Sequence, residues 1–132
     1  MRADPHRSTP MAQYVDGFVL PVPKKNVDAY RKMARKAGRI WREHGALEFR
    51  ECIGDDLKPE GIKIGFPKLA KLKAGETVIF SWIVYKSRAH RDRVNARVMT
   101  DPRIAAMMTD PNAMPFDGRR MTYGGFTMIV DL

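Results

Sequence analysis

The chain has 132 residues, of which 44% are apolar, and carries 24 basic against 15 acidic side chains for a net charge of +9. That length suits one ordinary domain, and that apolar share supplies a core, which argues against disorder. No apolar run reaches the roughly 18 residues needed to cross a bilayer, and a single cysteine, Cys52, excludes an internal disulfide.

The first ten residues, MRADPHRSTP, are polar and have no apolar stretch of the kind a signal peptide needs. Residues 1–11 are expected to be a disordered leader, residues 12–132 one domain, and the cytoplasm the expected compartment. The excess of positive charge raises the prospect of a polyanionic partner. Its distribution matters more than its sum. Lys or Arg occupies positions 24, 25, 31, 32, 35, 36, 39 and 42, opposed by Asp28 and Glu43. These fall mainly on the outer face of one helix, for which a solvated surface is the simpler account.

Residues 14–22, YVDGFVLPV, are apolar and β-branched and predict the first strand. Asn26 is placed to cap a helix over 27–44, with Gly45 just past its end. Val27, Tyr30, Ala34, Ala37, Ile40, Trp41 and His44 recur at threes and fours and form one core-facing stripe. A second strand is expected over 47–53, with Leu47, Phe49, Glu51 and Ile53 on one side. Residues 54–76 read as a long loop of Gly, Pro and Lys, pinned by Phe66 and Leu69. Residues 77–86, TVIFSWIVYK, form a strand that is apolar on both faces. Ser87 then caps a helix over 88–99, whose inward stripe is expected to be Arg91, Val94, Asn95, Val98 and Met99. A short helix restarts at Pro102 and ends near 109. A turn over 111–118 leads to a last strand over 120–130, which holds Gly124 and Gly125.

The order β-α-β-β-α-β is the split βαβ pattern of an α+β, ferredoxin-like fold, with a four-stranded antiparallel sheet whose first and third strands lie in the middle. Two helices cover one face only. Val78, Phe80, Trp82 and Val84 project from one side of the third strand, and Ile79, Ile83 and Tyr85 from the other. A second copy, packed sheet to sheet with two-fold symmetry, would shelter the uncovered face. Gly17, Gly124 and Gly125 would then lie in neighbouring strands, making a shallow depression for something bulky.

Three strings, WIVYKSRAHRDRVNARVMTDPR at 82–103, MPFDGRRMTYGGF at 114–126 and YVDGFVLPVP at 14–23, resemble the bacterial YbaA-like family, also called the domain-of-unknown-function 1428 family. The resemblance covers about residues 12–132. It implies a dimeric α/β barrel, in which two ferredoxin-like units join their sheets. That superfamily is similar across cofactor-free monooxygenases, haem enzymes, small isomerases and proteins with no known activity. The family has no established reaction, so no catalytic residues carry over.

The residues themselves point to no signature chemistry. His6, His44 and His90 have no metal-site spacing, no cofactor motif is present, and Cys52 reads as a small buried hydrophobe in a strand. Arg91 and Asn95 interrupt an apolar stripe, and Asp16 and Tyr123 do the same in strands. Buried polar groups need partners, so a structural hydrogen-bond network is the plainer account. The functional account is a polar-lined pocket between sheet and helices for a small-molecule ligand. There Asp16 would be a base raised by an apolar wall, Arg91 would hold an anionic or enolate oxygen, and Tyr123 and Asn95 would orient the substrate. Trp82 and Phe126 would supply the apolar wall, although core packing is the simpler job for both. Such a set suits proton transfer or oxygenation without a cofactor. The alternatives are a non-catalytic structural or interaction homodimer and, on charge alone, non-specific nucleic-acid binding through the basic helices. The segment GGFTMIVDL lacks the spaced aromatics of an RNA-binding sheet.

Overall fold

β-branched and aromatic residues alternate through β1 (Tyr14–Pro23) and β3 (Glu76–Tyr85), and each is ten residues long. They pair antiparallel along their whole length, from Tyr14 opposite Tyr85 to Pro23 opposite Glu76. β2 (Glu48–Ile53) joins the free side of β3, and β4 (Thr122–Thr127) the free side of β1. The sheet order is therefore β2-β3-β1-β4, the ferredoxin-like arrangement expected from the chain order. The computed structural model describes residues 12–110 and 114–132. The expected leader at 1–11 lies outside the described residues, as does part of the turn over 111–118.

α1 (Val27–Glu43) follows a single 3₁₀ turn, Lys24–Asn26. Asn26 is the N-cap residue, but its side chain makes no capping bond. Its amide instead donates to the Pro115 carbonyl at 3.0 Å and fastens the approach to β4. α1 ends as the sequence predicts, with Gly45 in the left-handed region at φ +116°. Tyr30, Ala34 and Ile40 are buried on its inner stripe. Gly38 lies on the same stripe, and the Phe49 ring of β2 occupies the space a Cβ there would need. The missing side chain lets α1 lie close over β2.

α3 (Arg88–Met99) begins at Ser87, whose hydroxyl accepts from the His90 N–H at 3.1 Å. Its inward stripe differs from the expected one. His90, Val94 and Val98 are buried, whereas Met99 is exposed. His90 turns inward because its Nδ1 accepts the Lys86 N–H at 2.9 Å and completes the β3–α3 turn. α4 (Pro102–Thr109) starts at Asp101, whose carboxylate accepts from the Arg103 N–H. β4 is shorter than the predicted 120–130, because a 3₁₀ turn, Gly118–Arg120, precedes it and pairing with β1 ends at Thr127.

Two apolar clusters fill the space between sheet and helices. One joins Tyr14, Ile83 and Tyr85 to Ile40, Val94, Val98 and Ile104; the other joins Leu20, Val22 and Ile79 to Tyr30 and Ala34. A third cluster lies on the far side of the sheet. There the 54–76 segment folds back over β1 and β3 and forms α2 (Phe66–Leu69) on the way. Its anchors are not Phe66 and Leu69, which are 43% and 51% exposed. Ala70, with Leu57 and Leu72, covers Val19 and Val78, while Phe66 leans on Phe80 at a ring distance of 5.8 Å. One end of the far face is thus sheltered within the chain. Phe80, opposite Val19 and beside Phe66, is still 44% exposed, and the other end keeps Phe126 at 62% exposure.

Candidate functional site

Asp16, Arg91 and Tyr123 do come together, on the helix side of the sheet. Asp16 is 1% exposed. Its Oδ1 accepts from Arg91 Nε at 3.1 Å and from the Tyr123 hydroxyl at 3.0 Å. Arg91 also donates to the Tyr14 hydroxyl at 3.2 Å and lies over the Tyr14 ring, 4.9 Å from its centre. A third donation, to Asp92, completes its fork. The expected apolar wall around Asp16 is therefore absent; the carboxylate faces a guanidinium and a phenol. Burial disfavours the charge on Arg91, but Asp16, Tyr123, Tyr14 and Asp92 together hold its pKa above the usual value. Burial, then the Asp16 charge, pushes the Tyr123 phenol up.

Asn95 lies one step away. Its Oδ1 accepts from Trp41 Nε1 at 3.1 Å and from the Tyr85 hydroxyl at 3.2 Å. One amide thereby ties α1, β3 and α3 together. Tyr85 is fully buried, and burial followed by the Asp16 charge raises its pKa. Among the described residues, no buried side-chain nitrogen or oxygen lacks a partner. The groups expected to serve a substrate serve one another.

Trp82 and Phe126 do not belong to this group. Strand alternation places both on the far face, where Trp82 and the Gly124 position both flank Gly17. Trp82 packs against Phe80 at 5.6 Å. The three glycines divide in the same way. Gly17 and Gly124 share the far face, and the Phe126 ring fills the depression, 3.5 Å from where either Cβ would stand. Gly125 faces the helices, and the Tyr14 hydroxyl and the Arg91 guanidinium occupy its missing side chain's place. Adjacent glycines thus admit an aromatic ring on one face and an ion-pair network on the other.

A sizeable cavity lies elsewhere on the helix side, between α1 and the edge strand β2. It is an open groove of about 690 Å³. Tyr30, Ala34, Gly38, Phe49, Ile53 and Ile79 line its apolar floor, and Arg31, Arg35, Arg39 and Arg42 form one wall, with Glu43 beside Arg42 and Arg31 bonded to Asp28 at 2.6 Å. Glu51 stands among them. Its Oε1 accepts the Tyr30 hydroxyl at 2.8 Å. Burial raises the Glu51 carboxyl above its ordinary value, against the opposing hydrogen bonds from Tyr30 and Ser81. Tyr30 is raised in turn by its own burial and then by the Glu51 charge. Cys52 also borders the groove and is exposed rather than buried.

Sequence reasoning missed this groove although a signal was present. Positions 31, 35, 39 and 42 are spaced four, four and three apart, one continuous helical stripe beside the apolar one. Counting all eight basic residues as a solvated face hid it. Glu51 stood among inward-facing apolar residues of β2 and was a second unused signal.

A further charged cluster fastens the ends of α1 and α4. Asp101 accepts from Arg103 and faces His44 Nε2 at 2.9 Å, and Arg103 reaches Glu43 at 2.6 Å. The Arg103 and His44 bonds hold the Asp101 carboxyl well below the usual range. Among the described residues, no group of three or more His, Cys, Asp or Glu side chains could hold a metal ion, and no helix is long and apolar enough to cross a membrane.

The sequence and the fold both have relatives. The chain is 47% identical over 119 residues to the "Uncharacterized protein YbaA" of Escherichia coli strain K12, which covers 90% of this chain and 98% of that one. The protein of the same name from Shigella flexneri matches to the same extent. Among solved structures, a dimeric ferredoxin-like protein from an uncultured marine organism superposes with a TM-score of 0.52 at 12% identity, covering 92% of this chain and 99% of that one. The profile for "Protein of unknown function (DUF1428)" matches residues 13–118. The chain therefore belongs to the DUF1428 family and shares the ferredoxin-like fold.

Proposed function

We propose that the protein is a cytoplasmic, non-catalytic binding homodimer that holds an anionic partner in the groove between α1 and β2. The carrying observation is the groove's make-up: four arginines along one wall above an apolar floor, with Glu51 tied to Tyr30. An arginine wall favours carboxylates or phosphates, and the floor favours an apolar body attached to them. The Asp16–Arg91–Tyr123 group supports a structural role, because its members are closed on one another. It is the tie that holds α3 against the sheet of a single domain spanning 12–132. The unpaired thiol of Cys52 suits a reducing compartment.

Dimerisation rests on the far face. Phe126 is exposed at the uncovered end, and Phe80, beside Trp82, stays 44% exposed although Phe66 of the 54–76 segment leans on it. A second copy packed sheet to sheet buries that patch and builds the dimeric α/β barrel. The solved marine relative is itself described as dimeric.

Octanoate is a simple probe of the groove, having one carboxylate and one apolar chain. Calorimetric titration is expected to show saturable binding that weakens with salt and is lost in an Arg35→Glu/Arg39→Glu variant. Binding that survives this double substitution would refute the groove as the site. Sedimentation is expected to give twice the 15.1 kDa chain mass.

A further inference from the structure

Resting on that groove reading, we propose that the anionic partner is an extended acidic peptide segment that adds to the free edge of β2 beneath the arginine stripe of α1.

β2 is an edge strand: it pairs with β3 on one side and with no described strand on the other. The ladder fixes which of its backbone groups are free. The Gly54 N–H donates to the Val78 carbonyl at 2.8 Å, and Ile53 stands opposite Ile79. Antiparallel alternation then directs the amides and carbonyls of Glu48, Arg50 and Cys52 toward β3, and those of Phe49, Glu51 and Ile53 outward, where the Phe49 carbonyl already accepts from Arg50 Nη1 at 3.3 Å. All three line the groove, which Cys52 also borders. A strand laid along this edge would find backbone partners and an arginine wall together, which is the β-addition mode of peptide recognition.

The spacings agree. Residues four apart in a helix are separated by about 6 Å along its axis, and residues two apart in a strand by about 6.6 Å. From Arg31 to Arg42 the stripe extends roughly 16 Å, too long for the single charge of a compact ligand. Glu51 sets a register. It lies beside Tyr30, while Phe49 lies against Gly38. Arg31 and Arg35 therefore serve the Ile53 end of β2, and Arg39 and Arg42 the Phe49 end. An acid beside Glu51 would meet like charge. The fitting segment has an acidic residue at each end and an uncharged one between them, at alternate positions.

Other occupants fit less well. A second copy paired edge to edge would bring its own arginine stripe against the first. Residues 1–11 offer Asp4 against Arg2 and Arg7, and residues 128–132 offer Asp131 alone. An RNA strand wants exposed aromatic rings to stack on, yet the Phe49 ring is packed against Gly38 and Trp41, and Tyr30 is buried.

The test uses the full chain and a fluorescent peptide with the core Glu-Val-Thr-Val-Glu. Its controls are the same core N-methylated at the two Glu and the Thr, a Lys-for-Glu core, octanoate, and a uridine oligomer. The acidic core is expected to bind, and octanoate to displace it. The Lys core, the methylated core and the Arg35→Glu/Arg39→Glu variant should each weaken binding by at least about tenfold. Equal binding of methylated and parent cores would overturn strand addition and leave charge alone. If octanoate binds and the acidic core does not, the peptide inference fails while the groove reading stands. If neither binds, the groove reading itself fails. Tighter binding of the uridine oligomer, with displacement of the peptide, would also overturn the proposal.

Discussion

Asp16 on β1 and Arg91 on α3 are 75 positions apart in the chain and meet at 3.1 Å, with Tyr123 donating to the same carboxylate oxygen. The carboxylate side chain is 2% exposed and the guanidinium 17%. Removing one member leaves the other charge buried without its partner. Asp16→Ala or Arg91→Ala should each destabilise by about 3–5 kcal/mol, and the pair Asp16→Leu/Arg91→Met by less than the sum of the single changes. Denaturant unfolding of the three variants measures this. Additive losses would show that the pair is not coupled.

The two adjacent glycines predict opposite outcomes. At Gly125 an added Cβ runs into the Tyr14 hydroxyl and the Arg91 guanidinium, so Gly125→Ala should cost about 1–3 kcal/mol through displacement of the network. At Gly124 the same atom meets Phe126 at 3.5 Å, an ordinary contact, and Gly124→Ala should change stability by less than about 0.5 kcal/mol. Melting curves of both variants, read side by side, decide it. Equal losses would contradict the division of faces.

Asn95 tests the second tie. Asn95→Leu removes the acceptor shared by Trp41 and Tyr85 and takes that partner from one buried and one half-buried donor. A loss of about 1–3 kcal/mol is expected. Trp41→Phe combined with Asn95→Leu should recover part of it, because one orphaned donor disappears. Unfolding free energies of the single and double variants provide the check.

Glu51 gives a pH dependence with a definite sign. Its folded-state pKa is raised, chiefly by burial. Between the unfolded value and the raised folded one, the native state holds more protons than the unfolded chain, so this contribution to stability falls as pH rises. Glu51→Gln removes that titration. The variant should therefore gain on the wild type as pH is raised from about 4 toward 7. Glu43, Glu76, Asp101 and Asp117 are all lowered by arginine hydrogen bonds and act with the opposite sign in both proteins, so the difference between the two melting curves isolates Glu51.

Periodicity carried the fold. The threes and fours of Val27 to His44 and the ten-residue apolar run around Trp82 specify α1 and β3, and the chain order then leaves one familiar sheet arrangement. The polar intrusions Asp16, Arg91, Asn95 and Tyr123 were also legible as a group, because each breaks an apolar line and needs a partner. Which partner it finds was not legible. Pairing across 75 positions depends on how α3 is rotated over the sheet, and sequence spacing does not fix that rotation. The inward turn of His90 and the outward turn of Met99 have the same origin. By chemistry alone Trp82 and Phe126 suit either the core or a pocket wall, whereas alternation from Tyr85 puts Trp82 on the far face. The groove went unseen because it exists only where α1 overhangs β2, which Gly38 permits.

Where an anion binds decides between the groove and the helix-side network. Amide chemical shifts of the isotope-labelled protein, titrated with octanoate, map this directly. The predicted result is a set of changes confined to the stretch from Arg31 to Arg42 and to Phe49, Glu51 and Ile53, with Asp16, Arg91, Tyr123 and Gly125 unmoved. Changes centred on Asp16, Arg91 and Gly125, with β2 silent, would contradict it and return the site to the helix-side network.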